Sequence, residues 1–228
     1  MRKRIKKINK FIENPIKNQT KIFKYLIEKG LKTRFGEEHI FNKIVDYSSF
    51  KKQISVKSYE DFYPYIRRIR NGEKNVLWPG KVKWFAKSSG TTNSKSKFIP
   101  LTEESLNDCH FKAGKDMLSF YENNFHKNNL YNGKGLMLGG TISKSKHGDF
   151  KDGDLSAILI DEFPCWVNYH RVPDIKTALM KNWEKKLEKI ARQAIKENIT
   201  NLTGVPSWML ILLKKVLSIS GKANISEV

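Results

Sequence analysis

Two uninterrupted apolar runs, Gly135-Leu136-Met137-Leu138-Gly139-Gly140 and Ser156-Ala157-Ile158-Leu159-Ile160, constrain the fold of this chain more than any other feature. Each has the length of a strand and lacks polar alternation, the pattern of a strand covered on both faces. Covering helices are expected in several places. An opening helical segment is interrupted at Pro15, and a helix follows from Thr20 to Glu28 with Gly30 as its C-cap. Ser58-Tyr59-Glu60-Asp61 reads as a capped start, with a hydroxyl for first-turn amides and acids suited to a helix N-terminus. That helix carries Phe62, Tyr65, Ile66 and Ile69 and should stop at Asn71-Gly72. Further helices are expected from Thr102, over 175–199, and from the Gly204-Val205-Pro206-Ser207-Trp208 turn to about Ser218. Val82 to Ala86 reads as a short β-branched and aromatic strand. Strands alternating with helices predict an α/β fold, its sheet strands covered by helices.

Composition narrows the setting. With 39% hydrophobic residues in 228, the chain can bury one substantial core or two small ones. Its longest apolar run, Trp208 to Leu213, is six residues, against the roughly 20 needed to span a bilayer. The basic N-terminus has no continuous apolar stretch of the kind a secretory signal requires. Cys109 and Cys165 stand outside any C-x-x-C pattern, so reduced thiols, a cytoplasmic location and no membrane partner are expected. The net charge is +20. Half of it lies in residues 1–34, where twelve Lys/Arg face only Glu13 and Glu28. Lysine, asparagine and isoleucine are abundant throughout, which explains much of the charge without a partner. A basic nucleic-acid or acidic-surface binding module remains the alternative reading.

The segment with the clearest chemistry is Ser88-Ser89-Gly90-Thr91-Thr92-Asn93-Ser94-Lys95-Ser96-Lys97, directly after the Val82–Ala86 strand. Gly90 lets phosphate oxygens approach main-chain N–H groups. The hydroxyls of Ser88, Ser89, Thr91 and Thr92 can donate to the remaining oxygens, and Lys97, with Lys95 beside it, supplies positive charge. A polar surface turn is the plain alternative. Two familiar nucleotide motifs are absent: a Walker loop needs glycine where Lys95 stands, and a dinucleotide fingerprint from Gly133 needs glycine where Leu138 stands.

Other polar groupings carry less. His147, Asp149, Asp152 and Asp154 lack EF-hand spacing and sit among turn glycines, so no metal site is assigned. Cys109 and His110 are adjacent on an expected helix, their side chains about 100° apart, and read as packing residues. Tyr169, His170 and Arg171 could meet an anion, but their spacing identifies nothing.

The loop resembles the signature of adenylate-forming enzymes, and in its detail that of the Gretchen-Hagen (auxin-responsive promoter) family of acyl-acid amido synthetases. Three further blocks are similar in the same order: Gly72 to Gly80 with Phe98 to Thr102, then Gly153 to Leu159, then Gly204 to Met209. The likeness runs from about residue 20 to the C-terminus, and its last two blocks also resemble bacterial members. Ser94 departs from it, since many relatives have glycine there. The resemblance implies an incomplete N-terminal ATP-binding domain over 20–228, part of the large layered domain of such enzymes, preceded by a basic helical segment over 1–19. It implies that Ser88, Ser89, Gly90, Thr91, Thr92 and Lys97 contact ATP phosphates, and that Val205, Pro206, Ser207 and Trp208 border the acyl pocket. It further implies a carboxylic acid and an amine as substrates, and Mg²⁺ whose ligands lie outside this chain. Adenine-, ribose- and metal-binding motifs of the family have no counterpart here, so the chain is expected to be a fragment that does not form acyl-adenylate alone.

Overall fold

The computed structural model describes residues 2–88, 96–145 and 148–228. The chain divides into two compact units, residues 1–124 with 144–151 and residues 125–143 with 152–228. Among the described residues no helix is long and apolar enough to cross a membrane.

The first unit begins with α1 (Arg2–Glu13) and α2 (Pro15–Gly30). Their break falls at Asn14-Pro15, because proline has no N–H to donate to the preceding turn and fits best at the first position of a helix. Ile8 is buried and Arg4 donates to the Asp116 carboxylate at 2.7 Å, which fixes one face of α1. Gly30 is not the left-handed cap expected of it. The cap position falls on Leu31, in right-handed geometry, while Gly30 lies under the Phe41 ring, where a Cβ would come within 2.5 Å. Then follow α3 (Arg34–Glu38), α4 (Tyr47–Gln53) and α5 (Tyr59–Arg70).

Helix α5 starts and stops where expected. The Ser58 hydroxyl accepts from Asp61 N at 3.3 Å and the Asp61 carboxylate accepts from Ser58 N at 2.7 Å, a reciprocal capping box. At the other end Asn71 caps the helix and Gly72 takes a φ of 91°, which only glycine adopts freely. Ile66 and Ile69 of α5 pack with Val76, Val82, Phe85 and Phe150. Against this cluster run β1 (Trp84–Lys87) and β2 (Phe98–Leu101), antiparallel, with Trp84 opposite Leu101 and Lys87 opposite Phe98. After β2, Thr102 accepts from Ser105 N through its hydroxyl (3.0 Å) and opens the expected helix. The first turns, Ser105–Phe111, are wound as a π-helix and lead into α6 (Lys112–Asn124). Cys109 is exposed there, so it does not pack in the core as its sequence context suggested.

The second unit is built on β3 (Lys134–Leu138). The strands β4 (Ile142–Lys144) and β5 (Lys151–Gly153) lie where the chain passes between the units. Next come α7 (Leu155–Asp161), β6 (Arg171–Val172), α8 (Ile175–Ala178), α9 (Trp183–Ala194), β7 (Ile199–Gly204) and α10 (Pro206–Ser220). The strand order is β6-β3-β7, with β3 parallel to both neighbours. Leu136 and Leu138 of β3 pack with Leu187, Ile190 and Ala191 of α9 and with Met209, Leu212 and Val216 of α10.

Three readings change here. The run 156–160 is helix α7, not a strand: the Asp154 carbonyl accepts from Ala157 N and Ile158 N at 3.0 Å each and starts a helical turn. An unbroken apolar run has no period to separate the two cases. The stretch 175–199 is two helices, because Asn182 caps Lys185 N at 2.9 Å and begins α9 afresh. Strand β7 went unseen because Ile-Thr-Asn-Leu-Thr-Gly is a mixed, half-exposed edge sequence rather than an apolar run.

Candidate functional site

The segment 88–97, expected from its sequence to bind phosphates, joins β1 to β2. Its two described ends, Ser88 and Lys97, are brought together: Ser88 N donates to Lys97 O at 2.9 Å, continuing the ladder one pair beyond Lys87 and Phe98. Ser89, Gly90, Thr91, Thr92 and Lys95 lie outside the described residues. The neck of the loop is braced from below by the first residue of α5. Phe98 N donates to the Tyr59 hydroxyl at 3.0 Å, and the Lys97 ammonium stands 5.3 Å from the centre of the Tyr59 ring. Since Tyr59 directly follows the Ser58 cap, the capping box fixes the position of this brace. Beneath the neck, the Arg70 guanidinium lies over three rings, Phe98 (4.3 Å), Phe150 (4.8 Å) and Phe85 (5.0 Å). Tyr59 and Arg70 were not singled out in the sequence, because neither belongs to the loop and only the fold places them against it.

Such a neck can hold one hydroxyl and one ammonium at a fixed separation on either side of a glycine- and hydroxyl-rich loop. A hydroxyl and an ammonium so placed are groups able to meet the oxygens of an anion.

In the second unit, the Val205–Trp208 segment sits at the carboxyl end of the sheet. Gly204 pairs with Leu138 at the end of β3, Val205 occupies the N-cap position of α10, and Pro206 is its first residue. Val205 is half exposed, and Pro206 and Ser207 are exposed. Trp208 is partly buried, with its ring 5.1 Å from that of Trp183, and belongs to the core packing. Carboxyl ends of parallel strands are where open α/β sheets present their crevices.

Beside that edge lies a constellation that sequence reading missed. Lys186 of α9 is only 1% exposed, and its ammonium donates to Gly139 O at 2.7 Å and Gly140 O at 2.8 Å. Gly140 N donates to the Ser156 hydroxyl (3.0 Å) and Thr141 N to the Asp154 carboxylate (2.7 Å). The turn after β3 is thereby held by three side chains. A Cβ on Gly140 would fall 2.0 Å from the Asp154 carboxylate, so this close approach requires glycine. Burial pushes the Lys186 pKa down to about 8, opposed by the charge of Asp154. Lys186 looked like one lysine among many in a charged helix, and its burial is a tertiary fact.

The family model for the GH3 family N-terminal domain matches residues 4–228. The chain belongs to the GH3 family. It is 31% identical over 105 residues to an indole-3-acetic acid-amido synthetase, GH3.2, of Arabidopsis thaliana, covering 46% of this chain and 19% of that protein. It is 30% identical over 152 residues to a jasmonoyl–L-amino acid synthetase, JAR6, of Nicotiana attenuata, covering 64% of this chain and 25% of that protein. Among solved structures, a GH3.15 acyl acid amido synthetase superposes with a TM-score of 0.73 at 21% identity, covering 92% of this chain and 38% of that one. The chain thus spans well under half the length of these GH3 relatives. The superposition bears out the α/β fold as the N-terminal portion of a GH3 enzyme.

Proposed function

We propose that this GH3 chain supplies the ATP-phosphate loop of an acid–amine ligase that activates a carboxylic acid as acyl-adenylate, releases pyrophosphate, and passes the acyl group to an amine or amino acid. The observation that carries the reading is the β1–β2 neck, closed by Ser88 and Lys97 around a glycine- and hydroxyl-rich loop, in a chain of this family. The names of relatives, which include auxin-, jasmonate- and benzoate-conjugating enzymes, support the acid and amino-acid classes.

In this mechanism Ser88, Ser89, Gly90, Thr91 and Thr92 orient the β- and γ-phosphates, and Lys97 offsets their charge. The acid carboxylate can then meet the α-phosphorus in line. Val205, Pro206, Ser207 and Trp208 border the acid. Mg²⁺ accompanies the nucleotide and shares the neutralisation of charge. Among the described residues no group of three or more His, Cys, Asp or Glu is placed to hold it, and no step is assigned to it. A cytoplasmic setting and kinship with bacterial members belong to the same proposal; the free thiols of Cys109 and Cys165 agree with the former.

Calorimetric titration with ATP tests the reading, with Gly90→Val as the control variant. The wild-type chain is expected to bind and Gly90→Val to lose binding with an unchanged circular dichroism spectrum. Equal binding by both removes the loop from the proposal. Carboxylate-dependent ATP–pyrophosphate exchange over a panel of acids, on this chain and on a chain extended to the length of its relatives, then tests the activation step; exchange is expected only in the extended chain.

One observation favours a second reading. Lys3, Lys6, Lys7, Lys10 and Lys17 line a groove with Phe11, Asn14 and Asn18 along α1 and the start of α2, with no acid among the lining residues. As a polyanion surface it would bind DNA with a steep salt dependence, whereas the ligase reading requires selectivity for ATP.

A further inference from the structure

Arg171 opens β6, paired in register with Gly135 of β3. Only 3% of its surface is exposed. Its Nε donates to the Asn168 side-chain oxygen at 2.8 Å, which fixes the plane of the guanidinium. The other edge is unmet: Nη1 and Nη2 are both buried and neither has an acceptor among the described residues. The acid whose charge acts on Arg171 is Asp174, and it is engaged elsewhere. Its carboxylate accepts from Thr177 N (3.0 Å), from the Thr177 hydroxyl (2.8 Å) and from the Gln193 side chain. A permanently charged group is thus held dry, oriented and unpaired, a state that proteins avoid unless an ion or polar partner completes it.

The 3-10 turn Cys165–His170 precedes β6 and carries Asn168. Its Trp166 and Tyr169 are 64% and 76% exposed, so this turn is tied down by little apolar burial.

We propose that Arg171 is an oxyanion receptor, with the carboxylate of a small organic acid taken on its free Nη1/Nη2 edge. Two coplanar carboxylate oxygens match the fork of the guanidinium, which a single halide does not. The site lies toward the start of β3. Gly204 pairs three residues farther along that strand, about 10 Å away at the strand rise, so the receptor is separate from the edge bordered by Val205–Trp208. The inference stands whether or not the ATP reading holds.

Thermal unfolding of the whole chain at constant ionic strength tests it, comparing sodium acetate, inorganic phosphate and a chloride reference for wild type and Arg171→Met. Acetate is expected to raise the wild-type Tm saturably, by about 5 °C at a hundredfold excess over its Kd, and to leave Arg171→Met unmoved. General salting effects act on both proteins alike. An equal response in the variant, or none in wild type, as an ordered water on both nitrogens would give, overturns the receptor. A saturable response to phosphate without one to acetate overturns the carboxylate assignment. If Arg171→Met fails to fold, Arg171→Lys carries the comparison, since it keeps the charge and loses the fork. A half-maximal acetate concentration raised at least tenfold is then expected, and an unchanged one overturns the proposal.

Discussion

The hydroxyl of Tyr59 accepts a hydrogen bond from Phe98 N at 3.0 Å, joining the first residue of α5 to the strand that leaves the 88–97 loop. The bond is partly buried and spans 39 residues of sequence. It ties the loop neck to a helix start that is itself fixed by Ser58 and Asp61. Tyr59→Phe should leave the ring packing in place and strand the Phe98 amide, at a cost of about 1 kcal/mol. Nucleotide affinity is expected to fall about fivefold, with the circular dichroism spectrum unchanged. Calorimetry on both proteins measures this, and an unaltered Kd would remove Tyr59 from the site.

Lys97→Ala is expected to weaken ATP binding more than Lys144→Ala does. Lys97 closes the loop and faces the Tyr59 ring, while Lys144 lies on β4, outside the loop. Each removes one positive charge, so a general electrostatic effect would lower both affinities alike. Parallel titrations at two salt concentrations separate the cases.

Gly36→Ala should be among the most destabilising small substitutions in the first unit. A Cβ there would lie 2.0 Å from the carbonyl oxygen of Gly30, a backbone atom that moves only with α2 itself. A loss of about 3 kcal/mol is expected from such overpacking, seen as a lower urea midpoint. Gly114→Ala, where an added Cβ meets nothing within 4 Å, serves as the control and should be neutral or slightly stabilising.

Lys186 predicts a pH dependence of opposite sense to that of a paired lysine. Its folded pKa is lowered from 10.5 to about 8 by burial. Between these values the unfolded chain holds a proton that the folded chain has released, so stability rises with pH over this window. The rise is bounded by about 3 kcal/mol. Lys186→Met should flatten the slope between pH 8 and 10.5 while also loosening the Gly139–Thr141 turn. Urea melts across that range, with amide exchange at Gly140 and Thr141, check both parts. A slope that persists in the variant would assign it to another group.

Local sequence determined a good deal of this protein. Ser58 and Asp61 sit close in the chain, as do Asn71 and Gly72, so the chemistry that starts and stops α5 was complete within a few residues. The strand before the loop was legible for the same reason, since Val82 to Ala86 and the loop chemistry of 88–97 lie in one stretch, while β2, which closes the loop, went unread. What failed depended on contacts between distant residues. Gly30 is needed by the Phe41 ring rather than by a cap, and the run 156–160 became α7 although its composition suits a strand equally well. Lys186 could not be told from the solvated lysines around it, and Arg171, noted beside Tyr169 and His170 as able to meet an anion, had no spacing that marked it as buried. Only the packing of α9 and β6 against β3 takes their charges out of water. Desolvation is a property of the assembled fold, and with it come the lowered pKa of one and the unmet hydrogen bonds of the other.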